Sequence, residues 1–419
     1  MKHYKPYPAY KDSGMEWIGD VPEHWLNMSL KRLAKICNGK DYKEVAEIDG
    51  EYPVMGSGGE FARASSYLFN GESVLLGRKG TIDKPLYISG PFWAVDTMFY
   101  TEIPKHAFPK FVYYVALNIP FGRYSTNTAL PSMTGEVISS HPIAAPNLNE
   151  QKAIANYLDR ETTRIDALIA KKTRFVELLK EKRSALITHA VTKGLNPKAK
   201  MKDSDVEWIG EVPEHWAVKR LKHLLSEPLK YGANESGDAS IEEGPRYIRI
   251  TDITEDGELR NDSEKRLSPE AAKPYILCDG DILFARSGAT VGKTYKYKSE
   301  HGPACFAGYL IRARLNRKVI HPDFVTFAVR SHYYWDYIQR TAIQATIENV
   351  SAERYGDFPI AVPSGEEQER IIAFVSSSVV RIDTIIAKIQ HSIDLLKERR
   401  SAFISAAVTG QIDLRRETA

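Results

Sequence analysis

The sequence predicts a duplicated protein of mixed α/β (α+β) class. It holds two similar domains joined by two long antiparallel helices, paired as a coiled-coil spacer about an internal pseudo-twofold. Three observations predict this. EWIGDVPEHW at residues 16–25 returns as EWIGEVPEHW at 207–216, with Asp20 against Glu211 as the only change. Residues 149–194 and 366–411 align at a constant offset of 217, so that Arg164-Ile165-Asp166 recurs as Arg381-Ile382-Asp383 and Val191-Thr192 as Val408-Thr409. Neither of these segments holds proline or glycine for roughly 40 residues, and both carry apolar residues at steps of three, four and seven.

The Trp-rich decapeptide opens each half. Trp17, Trp25, Trp208 and Trp216 read as anchors that seat the chain on its domain, because aromatic side chains bury the most area. His24 and His215, in the repeated PEHW, read as packed or hydrogen-bonded groups rather than metal ligands. The middles that follow match weakly and differ in length by 26 residues. In them VLLGRKGTIDKPLYI (74–88) and ILFARSGATVGKTYKY (282–297) are strand–turn–strand patterns around glycine. FVYYVALN (111–118) and FVTFAVRS (324–331) are short apolar helices, each followed by a polar loop. PIAAP (142–146) and PIAVP (359–363) then lead into the long helices.

At about 1.5 Å per residue each long helix spans roughly 60 Å, more than a domain of this size covers. The matching stripe of the other copy is the economical cover. The pairing residues are Ile165, Leu168, Ile169 and Leu179 on one side, and Ile382, Ile385, Ile386, Ile389 and Leu396 on the other. LNPKAKMK is a linker. The order predicted is a first domain at 1–146, a spacer helix at 147–194, the linker at 195–202, a second domain at 203–363, a second spacer helix at 364–411 and a tail at 412–419.

Composition is that of a soluble globular chain: 43% hydrophobic, 26% charged, net charge +3, which permits nucleic acid as a partner without demanding it. No apolar run predicts a membrane span, the N-terminus shows no secretory pattern, and three scattered cysteines read as reduced thiols; the expected location is the cytoplasm. No catalytic or metal-binding motif is recognised. SGATVGKT (287–294) lacks the first glycine of a phosphate-binding loop and is followed by a strand pattern, not a helix. Asp41-Tyr42-Lys43 matches the tail of a nuclease signature, a match short enough to arise by chance.

Binding chemistry remains. Arg78, Lys79, Thr81 and Lys84 lie at one hairpin turn and Arg286, Ser287, Thr290 and Lys293 at the other. The polar loops TNTALPS (126–132, with Asn127 and Thr128) and QATIENV (344–350, with Gln344 and Thr346) precede the PIA exits at matching positions. Arginine contacts guanine bidentately, Asn and Gln contact adenine, and Lys and Thr contact phosphate. The alternative is that these are ordinary solvated turns.

The series of motifs resembles the DNA-specificity subunit of type I restriction-modification systems. The features that carry it are the duplicated WIG-x-VP-x-HW, PIA-x-P followed by Glu-Gln, the RID…LI segment, LLKE-x-RSA and VT-G, in order and twice over nearly the whole chain. The resemblance implies two target-recognition domains on a helical spacer, reading an asymmetric bipartite site in double-stranded DNA. It implies two modification subunits and further restriction subunits as partners. It implies no catalytic site and no cofactor on this chain, with S-adenosylmethionine, ATP and Mg²⁺ on the partners. Two other classes stay open: a fused nuclease-specificity protein, and a coiled-coil scaffold for protein partners.

Overall fold

The computed structural model describes residues 4–124, 132–238, 243–254, 257–260, 262, 264–342 and 349–415. The chain divides into two compact units, residues 1–173 with 390–419, and residues 174–389. The division falls inside both long helices, Leu148–Lys193 of 46 residues and Gly365–Val408 of 44. Each unit therefore contains one α/β domain and part of each helix.

In unit 1 a four-stranded antiparallel sheet runs in the order Lys35–Asn38, Met98–Glu102, Ser73–Gly77, Leu86–Ile88. A second sheet has Tyr52–Gly56 parallel to Pro91–Ala94, with Val54 opposite Trp93. Unit 2 repeats this plan. Its sheet runs Lys230–Tyr231, Leu310–Ala313, Ile282–Ala285, Thr294–Lys296. Its parallel pair is Arg246–Ile248 with Ala304–Phe306, Tyr247 opposite Cys305. The two middles thus share a topology that their sequences hardly show. Unit 1 adds an edge strand, Gly59–Ala64, which has no counterpart among the described residues of unit 2.

Both expected hairpins form, Ser73 opposite Ile88 and Ile282 opposite Lys296. The strand Thr294–Lys296 follows Lys293 directly, where a phosphate-binding loop would open an α-helix. The short apolar helices are Pro109–Leu117 and Pro322–Ala328, each with proline in its first turn, where the missing N–H is harmless. The PIA strands pair with the residues after each decapeptide, Ile143 opposite Met28 and Ile360 opposite Lys219.

In the first long helix the covered positions run Leu158, Thr162, Ile165, Ile169, Lys172, Val176, Leu179, Arg183, Leu186, Ala190. In the second they run Val375, Val379, Ile382, Ile386, Ile389, Ile393, Leu396, Arg400, Phe403, Ala407. Steps of four and three alternate, which is the 3.5-residue period of a coiled-coil seam. Ile165, Leu179 and Ile382 are buried; Ile169, Ile385, Ile386, Ile389 and Leu396 are half-buried. Leu168 departs from expectation and is 42% exposed. The seam takes two positions in seven, and Leu168 falls between them. In unit 1 Ile154 and Leu158 pack with Phe403, Ile404 and Ala407. In unit 2 Ile187 and Val191 pack with Ile371 and Val375. Within each unit the helices therefore run in opposite directions.

Two boundaries shift. The strand Met201–Asp203 begins inside the expected linker, because it pairs with Glu211–Pro213 of the decapeptide. The tail is partly packed: Ile412 and Leu414 are buried, and the Asp413 N–H donates to the Lys5 carbonyl at 2.9 Å. Among the described residues no helix is long and apolar enough to cross a membrane.

Candidate nucleic-acid interface

The decapeptide builds a seat on the start of its long helix. Asn147 and Ser364 cap the two helices, accepting from the N–H groups of Glu150 at 3.1 Å and Glu367 at 3.3 Å. In unit 1 the buried Glu150 carboxylate accepts from the Trp25 indole at 3.1 Å and the Tyr7 hydroxyl at 2.8 Å, and lies 2.8 Å from His24 Nε2. Burial, then the Glu150 charge, pushes the Tyr7 hydroxyl well above its ordinary range. In unit 2 Glu367 accepts from Trp216 at 3.0 Å and lies 2.9 Å from His215 Nε2.

The next residue ties in the domain. Gln151 donates to the Pro146 carbonyl and accepts from the Phe108 N–H, both at 2.9 Å. Gln368 donates to Pro363 at 3.0 Å and accepts from His321 at 2.7 Å. The far end of the other long helix closes each seat with a glycine. A Cβ at Gly194 would sit 3.1 Å from the Trp216 ring, and one at Gly410 would sit 2.2 Å from Pro22. Both have positive φ, 71° and 75°, which glycine adopts without strain. The sequence marks the Glu-Gln pair as repeated. Its role as receptor for His and Trp was missed, although a carboxylate one turn into a helix and an indole N–H at a fixed offset signal it.

The hairpin turn is held the same way in both units. The Arg78 N–H donates to Thr97 at 2.8 Å and its carbonyl accepts from Met133 at 3.1 Å. The Arg286 N–H donates to Tyr309 at 3.0 Å and its carbonyl accepts from Val350 at 2.9 Å. Lys79 bridges to Ser132 and Ser287 to Asn349. The ends of the polar loops are thus stitched to the turns. Asn127, Thr128, Gln344 and Thr346 lie outside the described residues.

The turn side chains differ in exposure. Lys79, Thr81 and Lys84 are exposed, while Arg78, Arg286, Ser287, Thr290 and Lys293 are half-buried. Arg78 Nη1 donates to the Asp96 carbonyl at 3.3 Å. The Arg286 guanidinium lies 4.8 Å from the Tyr231 ring centroid, and its buried Nε has no hydrogen-bond partner among the described residues. The Thr290 hydroxyl donates to the Ser287 carbonyl at 3.4 Å. Lys293 lines a cavity of about 190 Å³ with Lys180, Arg183 and Arg330, cations that lie outside the hairpin motif.

The turn cations differ in charge pairing from two arginines elsewhere in domain 2. Deeper in the domain, Arg312 and Arg314 both hold Glu227, and Arg314 also holds Asp281. The hydrogen bond from Arg314 keeps the Glu227 carboxyl below its ordinary range. At the turns, none of Arg78, Lys79, Lys84, Arg286 and Lys293 has a carboxylate partner among the described residues. Asp41-Tyr42-Lys43 is a local turn, with the Lys43 N–H on Asp41 Oδ1 at 3.0 Å. Burial pushes the Cys305 thiol up to about 12, which removes it as a nucleophile. Among the described residues no group of three or more His, Cys, Asp or Glu is arranged to hold a metal ion.

Comparison with known proteins finds likeness in sequence and in fold. Residues 22–177 match the family model of the type I restriction modification DNA specificity domain. The chain is 23% identical to the EcoBI specificity subunit of Escherichia coli, over 94% of this chain and 87% of that one. It is 21% identical to the MjaVIII specificity subunit of Methanocaldococcus jannaschii, over 94% of each. Among solved structures, a chain from work on complex assembly and conformational transition of the type I R-M system superposes with a TM-score of 0.71 at 14% identity, covering 93% of this chain and 98% of that one. The HsdS subunit of Thermoanaerobacter tengcongensis gives 0.50 at 14% identity, over 94% and 98%.

Proposed function

We propose that this chain, a homologue of the specificity subunits of type I restriction-modification systems, is the DNA-reading subunit of such a complex. Each domain reads one half of an asymmetric bipartite target, and the paired helices set the unread gap. The observation that carries this reading is the doubled hairpin turn. Two domains of one topology hold an uncompensated arginine and lysine against a polar loop on the same seat, with different residues around them. Turn cations without a carboxylate partner suit a polyanion, and divergent neighbours suit two different half-sites.

The chain itself is non-catalytic in this reading and works in the cytoplasm. S-adenosylmethionine, ATP and Mg²⁺ are used by its partners, two modification subunits and the restriction subunits. A repeated exposed leucine supports docking of two like partners. Leu178 and Leu395, 217 apart, are 45% and 50% exposed on the long helices. Leu168 joins this outer face.

The test reconstitutes the full chain with modification subunits and maps methylation on a random DNA library. A bipartite asymmetric target is expected. Replacing residues 26–141 with the corresponding region of a relative should change one half-site and leave the other. A change in both halves, or turnover by this chain without partners, would sink the reading.

A further inference from the structure

Two ion pairs cross the helix seam, one in each unit. In unit 2 Arg183 Nε of the first long helix lies 3.2 Å from Asp383 Oδ1 of the second. In unit 1 Arg400 Nε of the second lies 2.8 Å from Asp166 Oδ1 of the first. Neither approach follows the N–H direction of a hydrogen bond, so the attraction is between charges. The pairs are reciprocal: Arg183 and Arg400 are 217 apart, as are Asp166 and Asp383. The residue numbers of each pair add to 566, so both units hold the helices in one and the same register.

The apolar seam alone does not choose that register. Its period is seven, and a slip of seven exchanges Ile382 for Val375 or Ile389, one aliphatic for another. The charges do discriminate. The same slip sets Ser376 or Gln390 across from Arg183, and Thr173 or Asp159 across from Arg400. Asp159 is already held by Lys110 and Tyr114. All four side chains are partly exposed, so their contribution to stability is small. Their contribution is a choice among the registers that the apolar seam leaves nearly equal, made in mid-helix and in agreement with the register that Gly194 and Gly410 require at the seats.

We propose that Arg183–Asp383 and Arg400–Asp166 are a register lock on the helix pair and, on the reading that the helices set the gap, positioning residues for the spacing between half-sites. A slip of one heptad moves one helix by about 10 Å, close to three base pairs of DNA.

The register is read directly by pulsed electron-spin distances in the full chain. Labels are placed at Lys182→Cys and Ser377→Cys, in a background of Cys37→Ser, Cys278→Ser and Cys305→Ala. The parent should give one narrow distance. Arg183→Asp with Arg400→Asp should give a broad or split distribution with maxima about 10 Å apart. Adding Asp166→Arg and Asp383→Arg should restore the single distance, and the milder Arg183→Gln with Arg400→Gln should broaden it. An unshifted narrow distance in the reversed and the neutral variants, or no recovery on the swap, overturns the lock. In parallel, methylation of targets with varied gaps should lose its preference for the parental gap about tenfold in the reversed protein and regain it in the swap. A parent with one distance that methylates no bipartite target overturns the functional reading and leaves the lock standing. A split distance with an unchanged gap overturns the role in spacing.

Discussion

The two seats are copies of one design, and two of their differences bear on how firmly each holds. In unit 1 the Glu150 carboxylate has a third donor, Tyr7, with the Arg415 guanidinium 4.9 Å from the Tyr7 ring centroid. In unit 2 the matching position of the linker is Lys198, which is exposed. In unit 1 the residue before the PIA strand is His141, stacked on Trp17 at 5.7 Å with its Nδ1 2.7 Å from the Tyr124 hydroxyl. In unit 2 it is Phe358, stacked on Tyr333 at 5.4 Å. The backbone is indifferent: His141 and Phe358 each accept an N–H at 2.8 Å, from Leu30 and Leu221. The His–Trp–Glu core that both copies share therefore fixes the geometry. The groups around it set how strongly, and over what pH range, each seat holds.

Removing the carboxylate should break the comparison most visibly. Glu150→Ala leaves a buried indole, a buried hydroxyl and an imidazole without their acceptor, and should cost unit 1 about 3–4 kcal/mol. Glu367→Ala strands fewer and more exposed donors and should cost unit 2 about 1–2 kcal/mol. Hydrogen exchange followed peptide by peptide assigns each loss to its unit. Equal losses in the two variants would show that Tyr7 adds nothing to the seat.

Acid should act on unit 1 more than on unit 2. Burial lowers the His141 pKa to about 4, from an ordinary 6.5. Between those values the unfolded chain takes up a proton that the folded chain refuses, so this contribution is full above pH 6.5 and is lost as pH falls toward 4. The loss is bounded at about 3 kcal/mol. His141→Phe copies unit 2 and should abolish the difference in pH dependence between the two units, read as unit 1 exchange rates at pH 7 and pH 5. A parent whose unit 1 and unit 2 soften in parallel on acidification would contradict this account of His141.

How far these features could be read from sequence follows from their range. The helices were legible because their stripe is local, and the duplication because two motif sets share an offset. The common topology of the middles was not, since parallel pairing of Tyr52–Gly56 with Pro91–Ala94 joins strands far apart in sequence, and the alternate burial of each strand does not name its partner. Leu168 was assigned to the seam because a 3.6-residue stripe is wider than the 3.5-residue seam that forms. The Arg183–Asp383 pair was hidden although both residues stand in quoted repeats, because pairing needs the register, which no local pattern supplies. The hairpin cations were found because the turn chemistry repeats, but what they lack, a carboxylate neighbour, appears only in three dimensions.

The smallest expected effect sharpens the comparison at the DNA itself. The turn of domain 1 carries two exposed lysines, Lys79 and Lys84, whereas that of domain 2 carries one half-buried lysine, Lys293. A flexible ammonium at an exposed turn suits a phosphate better than a base edge, because it brings charge without a fixed fork of donors. Each phosphate deprived of its lysine should lower the slope of log affinity against log salt by about 0.9. Lys79→Ala with Lys84→Ala should therefore reduce that slope by about 2, and Lys293→Ala by about 1, with affinity falling only severalfold at low salt. Both half-sites should stay as they are, since the base edges keep all their partners. Fluorescence anisotropy of the complex with modification subunits, on one fixed target across a salt series, measures the slopes, and methylation of a degenerate library checks the half-sites. A relaxed first half-site in the domain 1 variant would move Lys79 or Lys84 from phosphate to base, and equal slopes in the two variants would show that both turns meet the duplex alike.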